Sequence, residues 1–506
     1  MNNNFSKKLS LITESKKMIK QYFILLLIIS GIIINSSCER DEIWTNSSAK
    51  LKFSTDTLSF DTIFTTIGST TKQFVIYNTN NKPIQIASIK LQGGTSSYFK
   101  MNVDGISGIE VKNLEIEAND SAYVFVQVIV DPNQQNAPVQ ILDSILFSLN
   151  GNTQNIKLQA IGQDVHLIKS ANYFSRIKEN TTWVNDKPYL IYDTLQIDSS
   201  ALLTIQEGTI IYMHRNANIF VDGNIVINGT YEKQVVFRGD RFDLINYQTP
   251  IPYDKVPGQW GSIWLRNSST ANKLNYTEIR NGTIGLWVGI LNETGKANVE
   301  LSNVIIQNNS FTGIYAINSK IKAYNSVIVN NGTFNFFAAT GGEYEFTHCT
   351  FANYSTYRSD KPNVVLTNKV KVDDSTTFYG DLKTAYFGNC IIWGSLPLEF
   401  YTLEDKNYAF NFVLDKCHIK DSENAINTQD QTHFKNVTRG GDNDPGFMSI
   451  VENKYNFRLK KIKGSKIINA GNRDIAIPYP LDFDKHSRLD DDDPDLGAFE
   501  YIPSSN

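Results

Sequence analysis

Two patterns of hydrophobic and polar positions divide the chain. Between residues 51 and 165, apolar and polar residues alternate in short runs such as SAYVFVQVIV at 121–130, and turn-forming stretches such as NTNNKP separate the runs. Alternation with a period of two is typical of strands that bury one face, and strands spaced about ten residues apart are typical of antiparallel sandwiches. The first pattern therefore predicts an antiparallel β-sandwich over residues 49–165.

The second pattern is a repeat of short β-branched strands that end in asparagine or glycine. LSNVIIQNNS at 301–310 and YNSVIVNNG at 324–332 are two of its copies. Aligned on the apolar residue just before the corner, successive copies place Ile279, Ile306, Ile328, Phe351, Ile392 and Ile419 at one position. Repeats about twenty residues long with strands and polar corners are typical of coiled parallel sheets. We predict an all-β chain, in which a right-handed parallel β-helix spans residues 166–502.

The register also predicts which side chains fill the coil. Residues two places before the aligned position face inward as well, and all are small: Thr277, Val304, Ser326, Cys349, Cys390 and Cys417. The three cysteines are therefore expected to be buried thiols in one stack, without a disulfide. The corner asparagines at 281, 308, 330 and 353 are expected to adopt left-handed backbone and to hydrogen-bond to one another, and residues 354–386 to leave the coil as a loop.

An aligned row of aromatic residues is the most distinctive candidate for binding. Trp287, Tyr315 and Phe337 each follow an inward apolar residue, so alternation points all three outward on successive turns. Turns about 4.8 Å apart would bring the rings into a flat strip on which sugar rings can stack. The alternative is that the rings stack on one another or lie under the 354–386 segment.

The N-terminal segment is typical of an export signal. Basic residues at 16, 17 and 20 precede an apolar run at 22–34 that is short for a bilayer span, and small or polar residues and then Cys38 follow the run. This resembles a bacterial lipoprotein signal peptide over residues 1–38, which implies a lipid-acylated Cys38, a linker at 39–48 and a location on the outer membrane facing the cell surface. An uncleaved anchor helix and a plain secretory signal are the alternatives, and translation can start at Met1 or Met18.

Longer phrases resemble known families. FVIYNTNNKPIQIASIKLQGG at 74–94 resembles immunoglobulin-like domains of the choice-of-anchor or ASH type. LLTIQEGTIIYM at 202–213, VPGQWGSIWL at 256–265 and DPDLGAFEY at 493–501 resemble the opening and closing turns of exported bacterial right-handed parallel β-helix repeat proteins with the pectate-lyase fold. These phrases are architectural, so the resemblance implies the fold and leaves the activity open.

Composition and charge narrow the functional classes. The formal net charge is −4, so no basic excess indicates nucleic-acid binding. An acidic run at 482–495 includes Asp482, Asp484 and Asp490, which form either a candidate Ca²⁺ site or a solvated acidic loop. No set of Arg or Lys with carboxylates falls in register. We therefore favour a non-enzymatic, lipid-anchored surface protein that binds polysaccharide or another surface partner. The alternative is a polysaccharide lyase, glycoside hydrolase or related carbohydrate-active enzyme.

Overall fold

The computed structural model describes residues 18–24, 42–131, 138–245, 250–441, 445–490 and 493–503. Cys38 and nearly all of the predicted signal peptide lie outside the described residues. Within them, no helix is both long and apolar enough to cross a membrane. The chain divides into two compact units: one takes the chain up to Phe60 with Gly68–Ile129 and Ile141–Ala160, and the other takes Asp61–Ile67, Val130–Gln140 and Ile161 onward.

The first unit is built on two five-stranded antiparallel sheets whose inward residues, such as Phe74, Ile86 and Phe147, are buried. In spatial order, one sheet contains Lys52–Phe53, Lys72–Tyr77, Ser121–Val128, Phe99–Val103 and Ile106–Gly108. The other contains Thr57–Phe64, Asn152–Gln163, Val139–Leu149, Ile84–Leu91 and Glu110–Ile116. A 3-10 turn at Gly94–Ser96 follows one of these strands.

The second unit is a parallel β-helix made of three long sheets, which we name I, II and III. Sheet I contains His166–Ile168, Tyr189–Ile191, Ile210–Met213, Val235–Gly239, Thr277–Arg280, Ile305–Gln307, Val327–Val329, Thr350–Asn353, Ile391–Gly394, His418–Lys420 and Thr438–Gly440. Sheet II contains Phe174–Ile177, Thr194–Ile197, Ile219–Val221, Trp260–Leu265, Gly282–Val288, Thr312–Ala316, Phe334–Ala338, Val364–Thr367 and Phe400–Leu403. Sheet III contains Thr181–Trp183, Leu202–Gln206, Asn224–Asn228, Asn272–Asn275, Asn298–Ser302, Ser319–Tyr324, Gly342–Thr347, Leu382–Gly388, Phe410–Asp415 and Phe434–Lys435. The predicted fold class, a β-sandwich followed by a right-handed parallel β-helix, is confirmed.

The predicted register of the coil is also confirmed. Ile279 pairs with Ile306 in neighbouring strands of sheet I, and the pairing continues through Ile328, Phe351, Ile392 and Ile419. The small residues two places earlier are buried, and Cys349, Cys390 and Cys417 are free thiols inside the coil. Period-two alternation alone therefore sets which side chains fill the interior.

Two expectations about the corners are wrong. The side chains of Asn281 and Asn308 donate to backbone carbonyls of residues 254–256, and Asn353 is a strand residue without left-handed backbone. The amide ladder instead runs through the following residues, because Asn309 Nδ2 donates to Asn331 Oδ1 at 2.8 Å and Asn331 Nδ2 donates to Asn335 at 2.9 Å.

The prediction that residues 354–386 leave the coil as one loop is also wrong, since Val364–Thr367 belongs to sheet II.

Among the described residues, three antiparallel hairpins and the C-terminal segment lie outside the coil. The hairpins pair Leu244–Ile245 with Ile251–Pro252, Lys369–Lys371 with Thr377–Tyr379, and Phe447–Ser449 with Asn456–Leu459, and the short helices are Tyr253–Lys255 (3-10) and Arg473–Ala476. Apolar residues of the C-terminal segment, including Phe457 and Phe499, form one buried cluster with Val329, Ala352 and Trp393 of sheet I. The chain thus covers much of the outer face of sheet I with its own C-terminal part.

Candidate functional site

The predicted aromatic row is present on the outer face of sheet II, and it is longer than predicted. Trp287 pairs in register with Tyr315, and Tyr315 pairs with Phe337. The row also extends in the other direction, because Trp264 pairs with Trp287 and Phe220 pairs with Trp264. We call these five side chains the aromatic ladder. All five are half-buried, whereas the residues before them in sequence point into the core.

The rings of the ladder do not form one flat strip. Trp264 and Trp287 are stacked with centroids 4.2 Å apart, whereas Tyr315 is inclined by 68° to Trp287 and Phe337 by 47° to Tyr315. Each stacked tryptophan covers one ring face of the other, so those two faces are not accessible to a ligand. Tyr315 and the exposed Phe311, whose centroid lies 6.2 Å away, are the rings turned out of this stack.

The charged side chain of Arg266 packs against the N-terminal end of the ladder. The Arg266 guanidinium carbon lies 4.6 Å from the centre of the Phe220 ring and 5.5 Å from that of Trp264. One of its nitrogens lies 3.4 Å from Asp222 Oδ1, and Asp222 also accepts a hydrogen bond from Gln196. Within the described part of the chain, the buried Arg266 Nε has no hydrogen-bond partner. The ladder therefore combines apolar ring surface with donors and acceptors of hydrogen bonds.

The predicted metal residues are each held by protein groups. Asp482 accepts hydrogen bonds from the backbone nitrogens of His486 and Glu500, at 2.7 and 2.8 Å. Asp484 makes a two-pronged contact with Arg458, and Asp490 accepts from Ser487. In the described part of the chain, no group of three or more His, Cys, Asp and Glu is placed to hold a metal ion. The structure lends the Ca²⁺ prediction no support.

A polar cleft with a volume of about 160 Å³ lies beside sheet I, and the sequence pattern did not predict it. Strand ends and corners of the coil supply Arg280, Gln307, Asn308 and Asn330. The remaining lining residues come from three segments outside the coil: Asp254 and Lys255, Ser355 and Tyr357, and Glu452, Asn453 and Tyr455. We call this site the polar cleft. Segments outside the coil have no periodic pattern, so only the aligned Asn308 and Asn330 were visible to a register argument.

The polar cleft holds opposite charges at intermediate distances. Arg280 Nε lies 3.5 Å from Glu278 Oε1, and a second nitrogen of the guanidinium lies 3.8 Å from Asp254 Oδ2. Gln307 donates to Glu278 at 2.8 Å, which holds that carboxylate in place. The amides of Asn281 and Asn308 anchor the backbone of residues 254–256 and so fix one wall.

Comparisons with known proteins give no family for the chain. No protein-family model matches it, and no curated protein matches it. Among solved structures, a family 123 glycoside hydrolase from Clostridium perfringens has a TM-score of 0.17 at 14% identity, with 25% of this chain covering only 26% of the hydrolase. The PapD-like domain 7 of human CEP192 has a TM-score of 0.17 at 11% identity, with 26% of this chain covering 95% of that domain. The Salmonella enterica SafA pilin in complex with the SafB chaperone has a TM-score of 0.16 at 15% identity, covering 23% of this chain and 55% of that one. TM-scores this low carry no argument about function.

Proposed function

We propose that this chain is a non-enzymatic cell-surface protein that binds an extended polysaccharide along the aromatic ladder of sheet II. The observation that carries the proposal is that the ladder is contiguous and half-exposed over five turns. The apolar outer residues of sheet I, such as Val329 and Trp393, are by contrast buried by the C-terminal segment. A contiguous aromatic surface that the chain leaves partly open is typical of a binding surface.

Tyr315 and Phe311 are the side chains that we expect to contact sugar rings. Tyr315 is the fourth member of the ladder, and Phe311 lies beside it; both are outside the Trp264–Trp287 stack, and Phe311 is among the exposed large apolar residues. Sugar rings have apolar faces and polar rims. The aromatic rings of the ladder would stack on the apolar faces of the sugars. The Arg266–Asp222 pair would hydrogen-bond to sugar hydroxyl groups at the N-terminal end of the ladder.

The test compares Tyr315→Ala and Phe311→Ala with the parent protein on a panel of soluble and insoluble bacterial and plant polysaccharides. We expect each substitution to weaken binding on the order of 1–3 kcal/mol, as loss of an aromatic anchor does at interfaces. Tyr379→Ala is the matched control, since Tyr379 is an exposed tyrosine that stacks on Tyr408 and is not part of the aromatic ladder. Unchanged binding in both Tyr315→Ala and Phe311→Ala, or no polysaccharide bound by the parent, contradicts the proposal.

The enzymatic alternative is separated by a second measurement. A polysaccharide lyase produces unsaturated products, so incubation of the protein with a panel of polyuronates would raise the ultraviolet absorbance. Released reducing ends would indicate a glycoside hydrolase. We expect neither change, and either one would replace the non-enzymatic proposal.

The membrane part of the proposal rests on the sequence alone. An apolar run that is followed by small or polar residues and then Cys38 supports a lipid anchor in the outer membrane, facing the cell surface. Cys38→Ser should move the protein from the detergent phase to the aqueous phase in detergent partitioning and abolish labelling with a fatty-acid analogue. A variant that partitions and labels like the parent contradicts the anchor.

A further inference from the structure

We propose that the polar cleft is a second binding site, which takes a single neutral sugar ring. It lies beside sheet I and at corners of the coil, on different strands from the aromatic ladder. Its occupant differs from that of the ladder in size as well as in place. The inference therefore goes beyond the proposed function, and it stands or falls independently of it.

An unpaired donor in the wall of the cleft is the first evidence for an occupant. The Asn330 residue is 5% exposed and lines the cleft, and its Oδ1 accepts a hydrogen bond from the Tyr354 backbone nitrogen at 2.8 Å. That bond fixes the orientation of the amide and leaves Nδ2 buried without a partner among the described residues. Buried donors in native structures are normally paired, so an unpaired donor in the wall of this cleft indicates a ligand with an acceptor oxygen.

The charges of the cleft indicate that the ligand is neutral. Lys255 and Arg280 contribute two positive charges to the lining, and Asp254 and Glu452 contribute two negative charges. An anion would meet both carboxylates and a cation would meet both basic groups, so the balanced lining favours neither. The rest of the lining is amide, hydroxyl and tyrosine, which can each donate and accept hydrogen bonds. A compact molecule rich in hydroxyl groups matches this inventory.

The size and rim of the cleft match one ring. The enclosed volume of about 160 Å³ is roughly ten times the ~10–15 Å³ that one buried water needs, which leaves room for about as many non-hydrogen atoms as a hexose has. It is smaller than the ~300 Å³ at which sites for drug-sized ligands begin. Tyr357 is exposed at the rim, and the Tyr455 hydroxyl is tied to the Tyr354 carbonyl at 3.0 Å. The Tyr357 ring can therefore pack against a sugar ring, while Tyr455 stabilises the wall of the cleft.

The experiment measures binding of glucose, galactose, mannose and N-acetylglucosamine to the full-length protein by saturation-transfer NMR and calorimetry. We expect at least one sugar to bind with a dissociation constant near 1 mM, as suits a small ligand of this size. Tyr357→Ala and Asn330→Asp should each weaken that binding at least about tenfold. Tyr379→Ala, which removes an exposed tyrosine elsewhere, should leave it unchanged.

Each outcome decides the proposal. Absence of binding by every neutral sugar overturns it, and so does tighter binding of galacturonate or acetate than of the neutral sugars. Equal binding by the parent and the two cleft variants also overturns it. Short oligosaccharides of the bound sugar show whether the cleft takes a free monosaccharide or the terminal sugar of a longer chain. A site for a terminal sugar binds the oligosaccharides as tightly as the monosaccharide, whereas a site for a free monosaccharide does not. Tyr315→Ala should not affect hexose binding, so failure at the cleft is distinguishable from failure at the ladder.

Discussion

Trp264 and Trp287 stack face to face on successive turns of sheet II, with ring centroids 4.2 Å apart and ring planes inclined by 14°. The Trp264 indole nitrogen donates to the Gly289 carbonyl at 3.0 Å, whereas the buried indole nitrogen of Trp287 has no hydrogen-bond partner among the residues that the structure describes. The pair therefore combines apolar contact, one fixed ring and one unpaired donor. We therefore expect the pair to contribute to the stability of the coil, and we assign the proposed binding role to Tyr315 and Phe311.

The stack predicts an energetic coupling between the two tryptophans. Replacing either one by Ala should lower stability, and a double-mutant cycle should give a coupling of about 0.5–1.5 kcal/mol, which is typical of aromatic pairs. Chemical denaturation of the four proteins, followed by circular dichroism, measures it. Additive effects within roughly 0.3 kcal/mol would show that the rings are neighbours without mutual stabilisation.

The internal cysteines are predicted to be unreactive in the native protein. Cys390 is fully buried, its Sγ lies 3.4 Å from the Cys349 backbone nitrogen, and burial raises the pKa of the Cys390 thiol. The thiolate is the reactive form, so labelling should require local opening of the coil. In a Cys38→Ser variant, a thiol reagent should modify Cys349, Cys390 and Cys417 slowly in buffer and completely in denaturant. Rapid labelling of all three without denaturant would contradict their burial.

A buried ion pair fixes the segment that follows Asn353. Arg358 and Glu399 make two parallel contacts of 2.7 and 2.9 Å, and the Glu399 carboxylate also accepts from the backbone nitrogens of Asn363 and Leu396. Both charged side chains are almost fully buried. Arg358→Ala should therefore cost about 3–5 kcal/mol, because it leaves an uncompensated buried carboxylate.

The second variant for this pair is Arg358→Ala combined with Glu399→Gln, which removes both charges. We expect the double variant to be more stable than Arg358→Ala alone, since a neutral amide costs less to bury than an unpaired charge. The thermal transition of the β-helix reports both changes. A double variant that is less stable than the single one would assign the effect to packing of the segment and not to charge.

A buried histidine predicts acid sensitivity. His418 stacks on Trp393 with centroids 4.7 Å apart, its Nδ1 lies 2.7 Å from the Thr438 hydroxyl, and burial lowers the pKa of His418 from 6.5 to about 4. Between these pH values the unfolded chain binds the proton and the folded chain does not. The effect of His418 on the free energy of unfolding is therefore constant above pH 6.5. As the pH drops from 6.5 towards 4, the free energy of unfolding falls by about 3 kcal/mol in total.

His418→Phe keeps a ring on Trp393 and removes the titrating group. Thermal unfolding at pH 7 and at pH 5 should show a smaller loss of stability on acidification in this variant than in the parent. His348 is also buried with its pKa lowered, chiefly by desolvation, so part of the acid sensitivity should remain. An identical pH dependence in the two proteins would rule out His418 as a source.

The asparagine corners show how far a sequence pattern reaches. Asn281, Asn308 and Asn330 do adopt left-handed backbone, as the strand–corner pattern predicts. Their side chains, however, bond to backbone groups of segments outside the coil, and the amide ladder passes through Asn309 and Asn331. Backbone conformation at a corner is a local property, whereas the partner of a side chain depends on what packs against it.

The sequence by itself determined the coil, its register and the contents of its core. These follow from local rules, because period-two alternation and stacking between neighbouring turns leave one way to bury the β-branched residues. It also placed Trp287, Tyr315 and Phe337 in one outward row. Only the tertiary structure decided that Trp264 joins this row. Its strand follows that of Phe220 in sheet II, although a long insertion separates them in sequence.

The tertiary structure also decided the polar cleft. Asp254, Tyr357 and Glu452 lie far apart in sequence and meet only because their segments fold back onto the same part of the coil. Such segments carry no period, so nothing in their spacing indicates where they pack. Their positions are set by long-range hydrogen bonds and apolar contacts, which form only once the coil exists to receive them.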